Sequence, residues 1–173
     1  DFSDDGKRLA FYVTSSRFPS SLWTAELGGE ARQLVSALNG AINVEDLVEG
    51  EVVRFKSYDG MEIPGILYLP HGVTDAAKVP GLVWVHGGPG GQSRLNYSAL
   101  VQYLVNHGYA VYAINNRGSS GYGKTFFAAD DRKHGEADLD DVVESRKLLT
   151  ATGKVDPDRM GIIGGSYGGY MTL

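Results

Sequence analysis

The stretch from Met160 to Gly168 reads Met-Gly-Ile-Ile-Gly-Gly-Ser-Tyr-Gly. A short apolar run leads straight into a G-x-S-x-G motif centred on Ser166, the pattern of a sharp turn between a strand and a helix. Side chains two residues before and after the serine would collide in so tight a turn, which explains glycine at both positions. The pattern predicts that Ser166 is a nucleophile and that the backbone N–H of Tyr167 faces a developing oxyanion. In a chain with 24 glycines the motif also arises by chance, but its position directly after a predicted buried strand favours the functional interpretation.

A second glycine-rich loop, His86–Gly91, follows the apolar run Leu82–Val85, which suits a strand buried on both faces. An α/β-hydrolase takes its second oxyanion donor from such a loop, because bare glycine backbone approaches the substrate closely. Gly88 is the predicted donor. A flexible connection or an anion-binding nest is the alternative interpretation of this loop, and its pairing with the serine motif favours the oxyanion role. His86 is expected to hold the loop, since the catalytic histidine follows the serine in this fold.

Strands and helices alternate from about residue 49 to residue 173. The clearest helix is Asp138–Thr152, with acidic residues in its first turn, basic residues toward its end and Gly153 to close it. Its predicted apolar face consists of Leu139, Val142, Val143 and Leu149. The predicted strands are 51–58, 63–69, 82–85, 109–114 and 160–163, with a shorter helix around 100–105 and a turn at 156–158. This order predicts the α/β class, with 49–173 as the incomplete N-terminal part of an α/β-hydrolase domain and its mostly parallel sheet.

Residues 1–48 have a different character. Two short strands, around Leu9–Val13 and Leu22–Leu27, are separated by a loop that contains Pro19. Two strands cannot bury their own faces, so this hairpin is expected to pack on something else. It is either a decorative hairpin or the last blade of a repeated β structure, followed by a linker.

Composition excludes several classes of protein. The net charge of −5 and the absence of basic blocks argue against a nucleic-acid partner. No apolar run approaches the length of a membrane span, so no membrane partner is expected. The chain has no cysteine, which excludes disulfides and thiolate metal sites and favours a cytoplasmic location. A periplasmic or secreted location stays open, because exported bacterial proteins also often lack cysteine.

No cofactor or metal is expected from the remaining polar residues. Four acidic side chains crowd one end of the 138–152 helix, where solvated charges that favour the helix dipole are the preferred interpretation over a metal site. They are Asp138, Asp140, Asp141 and Glu144. His71, His107 and His134 lack the spacing of zinc ligands.

One motif indicates a different class of function. Gly118–Thr125 satisfies G-x-x-x-x-G-K-[ST], the phosphate-binding loop of nucleotide hydrolases, and it follows a strand. The sequence after it, 126–135, is a weak helix former, and no later strand ends in the acidic residue that would share a magnesium ion. Nucleotide binding is therefore the less favoured alternative.

Together these segments resemble the prolyl oligopeptidase family of serine peptidases, especially its acylaminoacyl-peptidase and dipeptidyl-peptidase-like branch. The resemblance rests on four segments in matching order: Val83–Pro89, Asn116–Gly123, Asp156–Ile162 and Gly164–Met171. It covers about residues 50 to 173 and accounts for the phosphate-loop motif as part of an Arg-Gly-Ser-x-Gly-Tyr-Gly segment. Upstream, Phe2–Phe11 is similar to a repeat of that family's β-propeller, which favours the blade interpretation.

The resemblance implies a two-domain peptidase in which a propeller admits only short peptides, and a homo-oligomer is possible. Ser166 would attack the scissile carbonyl, with the N–H groups of Tyr167 and Gly88 holding the oxyanion. Some branches place a tyrosine hydroxyl in the oxyanion hole where this chain has His86, so a backbone donor is expected here. A carboxylesterase on the same fold and a non-catalytic relative remain alternatives.

The family order places the catalytic acid and histidine after the serine. Only seven residues follow Ser166, and none is acidic or histidine. A serine hydroxyl without a base is a poor nucleophile at neutral pH. These 173 residues alone are therefore expected to be inactive, and to aggregate through the unpaired edge of the last strand.

Overall fold

The computed structural model describes all 173 residues. The strands are β1 (Arg8–Val13), β2 (Ser21–Glu26), β3 (Ala31–Val35), β4 (Gly50–Lys56), β5 (Glu62–Tyr68), β6 (Val79–Val85), β7 (Ala110–Ile114) and β8 (Val155–Gly164). The helices are α1 (Ala99–Asn106), α2 (Lys124–Phe127), α3 (Ala137–Ala151) and α4 (Tyr167–Tyr170). None of these helices has the length and apolar character that crossing a bilayer requires.

The larger sheet has the strand order β4-β5-β7-β6-β8. The pairs β4/β5 and β5/β7 are antiparallel, whereas β6 pairs in parallel with both β7 and β8. Parallel neighbours need a crossover connection, and α1 and α3 supply the two crossovers. The predicted α/β sheet is confirmed, and its parallel part carries both glycine-rich loops at the carboxyl ends of β6 and β8.

Strand β7 lies at the centre of the core, and all five of its residues are buried. Tyr112 and Ile114 belong to one apolar cluster with Val142 and Leu149 of α3. Alternate residues of β7 point to the opposite face and pack in a second cluster with Val101 and Val105 of α1. A strand covered on both faces needs an unbroken apolar run, which is why the sequence pattern predicts it correctly.

The smaller sheet has three strands, in the order β1-β2-β3 with antiparallel pairing. The sequence predicts only the first two. All five residues of β3 are exposed, so backbone pairing with β2 forms this strand without a periodic apolar pattern. Large apolar side chains of this unit remain exposed, namely Phe2, Tyr12, Leu27, Leu34 and Val35.

Gln102 of α1 connects the two sheets. Its side-chain amide is buried and donates to the carbonyl oxygens of Ser16 at 2.8 Å and Val48 at 2.9 Å, while it accepts from the Val48 N–H at 3.0 Å. The Ser16 hydroxyl donates to Glu49 at 2.7 Å and accepts from the N–H of Gly50. The loop after β1, the linker and α1 therefore form one hydrogen-bonded junction, close to the domain boundary predicted at 48/49, which stays a prediction.

Three details of the sequence prediction are wrong. Val143 is 61% exposed and does not belong to the buried face of α3. The turn at 156–158 lies inside β8, where the register slips between the pairs Val79–Val155 and Gly81–Met160 and the intervening residues bulge. The last part of β8 is only partly buried, with Ile162 at 36% exposure, because β8 pairs on one side only, with β6.

Candidate active site

Ser166 lies between the end of β8 and the start of α4, with φ of 56° and ψ of −124°. A positive φ is strained for any residue with a side chain, and such strain is stored at functional sites when the surrounding structure enforces it. The residue is exposed, and its side chain makes no capping hydrogen bond to α4. The Ser166 hydroxyl is therefore free to meet a ligand above the carboxyl edge of the sheet.

Two glycines make this backbone possible. A Cβ placed on Gly168 would overlap the carbonyl oxygen of Val85, so α4 could not approach β6. A Cβ placed on Gly164 would lie 2.5 Å from the carbonyl group of Gly168. Gly165, by contrast, has nothing within 4 Å of its Cβ position. Steric collision therefore requires glycine at both outer positions of the motif, Gly164 and Gly168, as the sequence predicts. It does not require glycine at position 165.

The loop 86–91 lies beside the serine. A Cβ on Gly87 would be 3.4 Å from Ser166 Cβ and 3.8 Å from Ser166 Oγ. Gly88 is exposed and has a φ of 141°, which only glycine adopts readily, and its peptide bond to Pro89 is cis. The N–H groups of Gly88 and Tyr167 donate to no other group of the chain. The two predicted donors are thus brought to one side of the sheet with Ser166, and their role toward an oxyanion stays a prediction.

His86 is bound at both ring nitrogens. Nδ1 lies 2.8 Å from the carbonyl oxygen of Gly87, and Nε2 lies 2.8 Å from the hydroxyl of Ser119. Burial lowers the pKa of His86, which favours the neutral ring. Because the Gly87 carbonyl only accepts, Nδ1 carries the proton. The Ser119 hydroxyl has one proton and two acceptors within reach, Nε2 of His86 at 2.8 Å and the carbonyl oxygen of Asn116 at 2.6 Å. One nitrogen contacts the loop itself and the other contacts Ser119 after β7, which agrees with the expected loop-holding role of His86.

Arg117 clamps two carboxylates behind this loop. Its guanidinium donates to Asp141 from Nε at 2.9 Å and from Nη2 at 2.8 Å, and to Asp59 from Nη1 at 2.8 Å. Its backbone N–H and the hydroxyl of Ser57 also donate to Asp141. The Arg117 hydrogen bond holds the pKa of Asp59 below its usual range. The turn between β4 and β5, the end of β7 and helix α3 are thus joined at one arginine.

The acidic cluster on α3 corrects the sequence prediction of solvated charges. Asp138 and Asp141 are fully buried. Asp141 is neutralised by Arg117, and Asp138 accepts from the Tyr167 hydroxyl and from two backbone N–H groups. Only Asp140 at this end of the helix is exposed, while Glu144 bonds Lys147. No group of three or more histidine, aspartate or glutamate side chains is arranged to hold a metal ion.

Three backbone N–H groups of the phosphate-loop motif already donate hydrogen bonds within the chain. The N–H groups of Gly118, Ser119 and Ser120 donate to Phe126, Asn116 and Gly91, at 2.9 to 3.0 Å. The Asp130 carboxylate packs against the Cα of Gly118, where it would repel a phosphate. The helix that follows has only four residues. This loop supports the glycine-rich loop 86–91 through the Ser120 bond to Gly91.

The sequence does not reveal that two buried contacts, Arg117 with Asp141 and Tyr167 with Asp138, form a supporting layer under the site. The residues of the first pair are 24 positions apart in the chain and those of the second are 29 apart, so no local pattern indicates either contact. The available signal is the position of Arg117 three residues after the end of the buried strand β7, since an arginine buried there needs a partner.

The chain is similar to known peptidases. Residues 95–173 match the family model described as the prolyl oligopeptidase family. The chain is 34% identical over 171 residues to the uncharacterized peptidase YuxL of Bacillus subtilis (strain 168), covering 98% of this chain and 26% of the relative. It is 37% identical over 142 residues to dipeptidyl peptidase 8 of Homo sapiens, covering 79% and 16% respectively.

Among solved structures, the acylaminoacyl peptidase of Pyrococcus horikoshii is similar with a TM-score of 0.81 at 32% identity, covering 96% of this chain and 27% of that one. The chain therefore spans between 16% and 27% of the length of these relatives. The likeness extends over both sheets, and the predicted fold, the first part of an α/β-hydrolase preceded by the end of a β-propeller, is confirmed.

Proposed function

The chain belongs to the prolyl oligopeptidase family, and on that premise we propose that it is part of a serine peptidase that cleaves short peptides through an acyl-enzyme on Ser166. One observation carries the proposal. Ser166 stands exposed on a strained elbow, and two N–H groups without internal partners, those of Tyr167 and Gly88, lie on the same edge of the sheet. This is the arrangement that acyl transfer requires.

The proposed reaction has two halves. Ser166 Oγ bonds to the scissile carbonyl carbon while its proton passes to a base, and the carbonyl oxygen becomes an oxyanion that accepts from the N–H groups of Gly88 and Tyr167. Collapse of this intermediate breaks the C–N bond, the amine leaves with the proton, and the acyl group stays on Ser166. Water then hydrolyses the ester and releases the acid.

The base is not among the hydrogen-bond partners within these residues. Both ring nitrogens of His86 are occupied, by Gly87 and by Ser119, and no histidine forms a hydrogen bond with the Ser166 hydroxyl. We therefore expect the 173 residues alone to react slowly with a fluorophosphonate probe, whereas the complete protein reacts rapidly. Rapid labelling of the 173 residues alone would show that the base lies within them.

The test uses the complete protein with a fluorophosphonate probe and an aminoacyl-nitroanilide substrate. Ser166→Ala is expected to abolish both labelling and release of nitroaniline, because the attacking oxygen is removed. Ser20→Ala, a change of the same kind at an exposed serine in the loop before β2, is the matched control and should leave both unchanged. If Ser166→Ala kept both labelling and nitroaniline release, the assignment of Ser166 as the nucleophile would be refuted. If the wild-type protein did not react with the probe at all, the chain would belong to a non-catalytic relative.

A carboxylesterase is the second candidate, since the elbow and the glycine loop serve an ester as well as an amide. The relatives named as peptidases make it the less favoured one. Turnover of a nitrophenyl ester without turnover of any aminoacyl-nitroanilide would favour the esterase. Nucleotide binding at Gly118–Thr125 has less support, because the N–H groups that would cradle a phosphate already donate within the chain.

A further inference from the structure

The half-buried side chain of Tyr167 reaches into the layer beneath the elbow. Its hydroxyl donates to Oδ2 of Asp138. Asp138 is fully buried, and its other oxygen accepts from the N–H groups of Gly135 at 2.8 Å and Leu139 at 3.0 Å. Asp138 is thus held by backbone N–H groups just before α3 and in its first turn, so the carboxylate offers the phenol a fixed acceptor.

The surroundings keep the phenol a donor. Burial, the hydrogen bond to Asp138 and the nearby carboxylates raise the pKa of Tyr167, which favours the protonated hydroxyl that donates to Asp138. A second buried carboxylate, Asp130, has one oxygen without a hydrogen-bond partner. The ring of His134 packs edge-on against Tyr167 with a centroid separation of 5.6 Å, and its Nε2 lies 3.5 Å from Asp130.

The elbow depends on such an anchor for a physical reason. Helix α4 has four residues, too few to be stable by its own hydrogen bonds. The φ of Ser166 is strained, and a strained residue keeps its conformation only when its neighbours enforce it. Tyr167 immediately follows Ser166 and carries the predicted oxyanion donor on its backbone, so fixing its side chain fixes both groups.

We propose that the contact between the Tyr167 hydroxyl and the buried Asp138 carboxylate aligns the nucleophile and the oxyanion donor, with Asp138 as a positioning residue for the reaction. The proposal rests on the proposed function of Ser166. It assigns catalytic consequences to a side chain on α3 that touches no substrate. The contact joins the start of α3 to the start of α4, and both helices flank β8.

Tyr167→Phe tests this directly, because it removes the hydroxyl and keeps the ring. In the complete protein we expect kcat for an aminoacyl-nitroanilide to fall about tenfold, the loss that corresponds to one hydrogen bond to a charged group, with KM within about twofold of the wild type. The inhibition constant of a peptide aldehyde, which forms a tetrahedral adduct on the serine, should rise by the same factor as kcat/KM falls. Tyr170→Phe is the matched control, since that tyrosine is exposed and its hydroxyl makes no hydrogen bond.

The Asp138 variants separate alignment from stability. In Asp138→Asn the amide still accepts from the two N–H groups and can donate to the phenol oxygen, so activity is expected to stay near wild type. Asp138→Ala should lose as much kcat as Tyr167→Phe, and the double variant should lose no more than either one, because all remove the same contact.

Three results would overturn the proposal. They are unchanged kcat in Tyr167→Phe, a rise in KM alone, and equal losses in Asp138→Asn and Asp138→Ala. Each is distinct from failure of the proposed function, in which the wild-type protein itself shows no Ser166-dependent turnover.

Discussion

At Gly168 a single methyl group is expected to destroy the elbow. Gly168 is buried, and its Cα faces the carbonyl oxygen of Val85 so closely that an added Cβ would overlap it. In Gly168→Ala either α4 moves away from β6 or β6 bends. We expect turnover and fluorophosphonate labelling to fall below detection and the melting temperature of the complete protein to drop, measured by nitroanilide assay and thermal scanning.

Gly165→Ala is the matched control for that change. It makes the same substitution three residues earlier, at a glycine with negative φ whose Cβ position has nothing within 4 Å. Activity and melting temperature should stay close to those of the wild type. Equal damage from the two substitutions would mean that the motif needs glycine for a reason other than collision with β6.

The residues of the elbow were predictable because their constraint is local. Ser166 needs glycine two positions away on each side, and both collisions arise within a few residues and one neighbouring strand. Asp138 was not predictable in the same way. Acidic residues in the first turn of a helix normally favour the dipole from solvent, and only the fold shows that Tyr167 reaches Asp138 from 29 residues away.

Among the elements, the Arg117 clamp is expected to stabilise the turn between β4 and β5, the end of β7 and the start of α3 together. Arg117→Lys keeps the charge and loses the planar fork that binds Asp141 and Asp59 at once. Asp141 would be left buried with unfilled acceptors, which costs about 1–3 kcal/mol or more. Thermal scanning of the complete protein should show a clearly lower midpoint temperature for its first unfolding transition.

Arg159→Lys provides the comparison for the clamp. Arg159 pairs with Asp156 on the surface, at 2.7 Å, with more than half of its side chain exposed. An exposed pair contributes little, because water and salt screen it. The first transition should therefore stay within experimental error. A loss in Arg159→Lys as large as that in Arg117→Lys would contradict the view that burial gives the clamp its strength.

A strand or helix could be predicted where its burial in the core requires a recognisable pattern of apolar residues in the sequence. The run in β7 is apolar at every position because helices cover both of its faces. Strand β3 escaped prediction because all its residues are exposed and backbone pairing alone defines it. The bulge in β8 escaped because Asp-Pro-Asp forms a local turn, Asp156 accepting from the Asp158 N–H, without ending the strand.

For the whole molecule, we expect the three-stranded sheet to belong to a domain that limits which substrates reach Ser166. Phe2, Tyr12 and Leu27 are each more than 60% exposed on this sheet or its turns. Apolar side chains in such density normally face a partner surface, which the blades of a propeller would supply. The junction at Gln102 ties this sheet to α1 and so to the sheet that carries Ser166. We expect a propeller held there to restrict which substrates reach the serine.

The complete protein is therefore expected to discriminate by substrate size. A short peptide that contains a cleavable bond should be hydrolysed, whereas the same sequence displayed in an exposed loop of a folded carrier protein should stay intact, because the carrier cannot pass the propeller. Mass spectrometry of both substrates after equal incubation measures the difference. The matched control is the carrier digested beforehand with an unrelated protease that releases the peptide, which should restore cleavage. Cleavage of the intact carrier at a rate comparable to that of the free peptide would show that Ser166 lies open to large substrates and that the sheet β1 to β3 screens nothing.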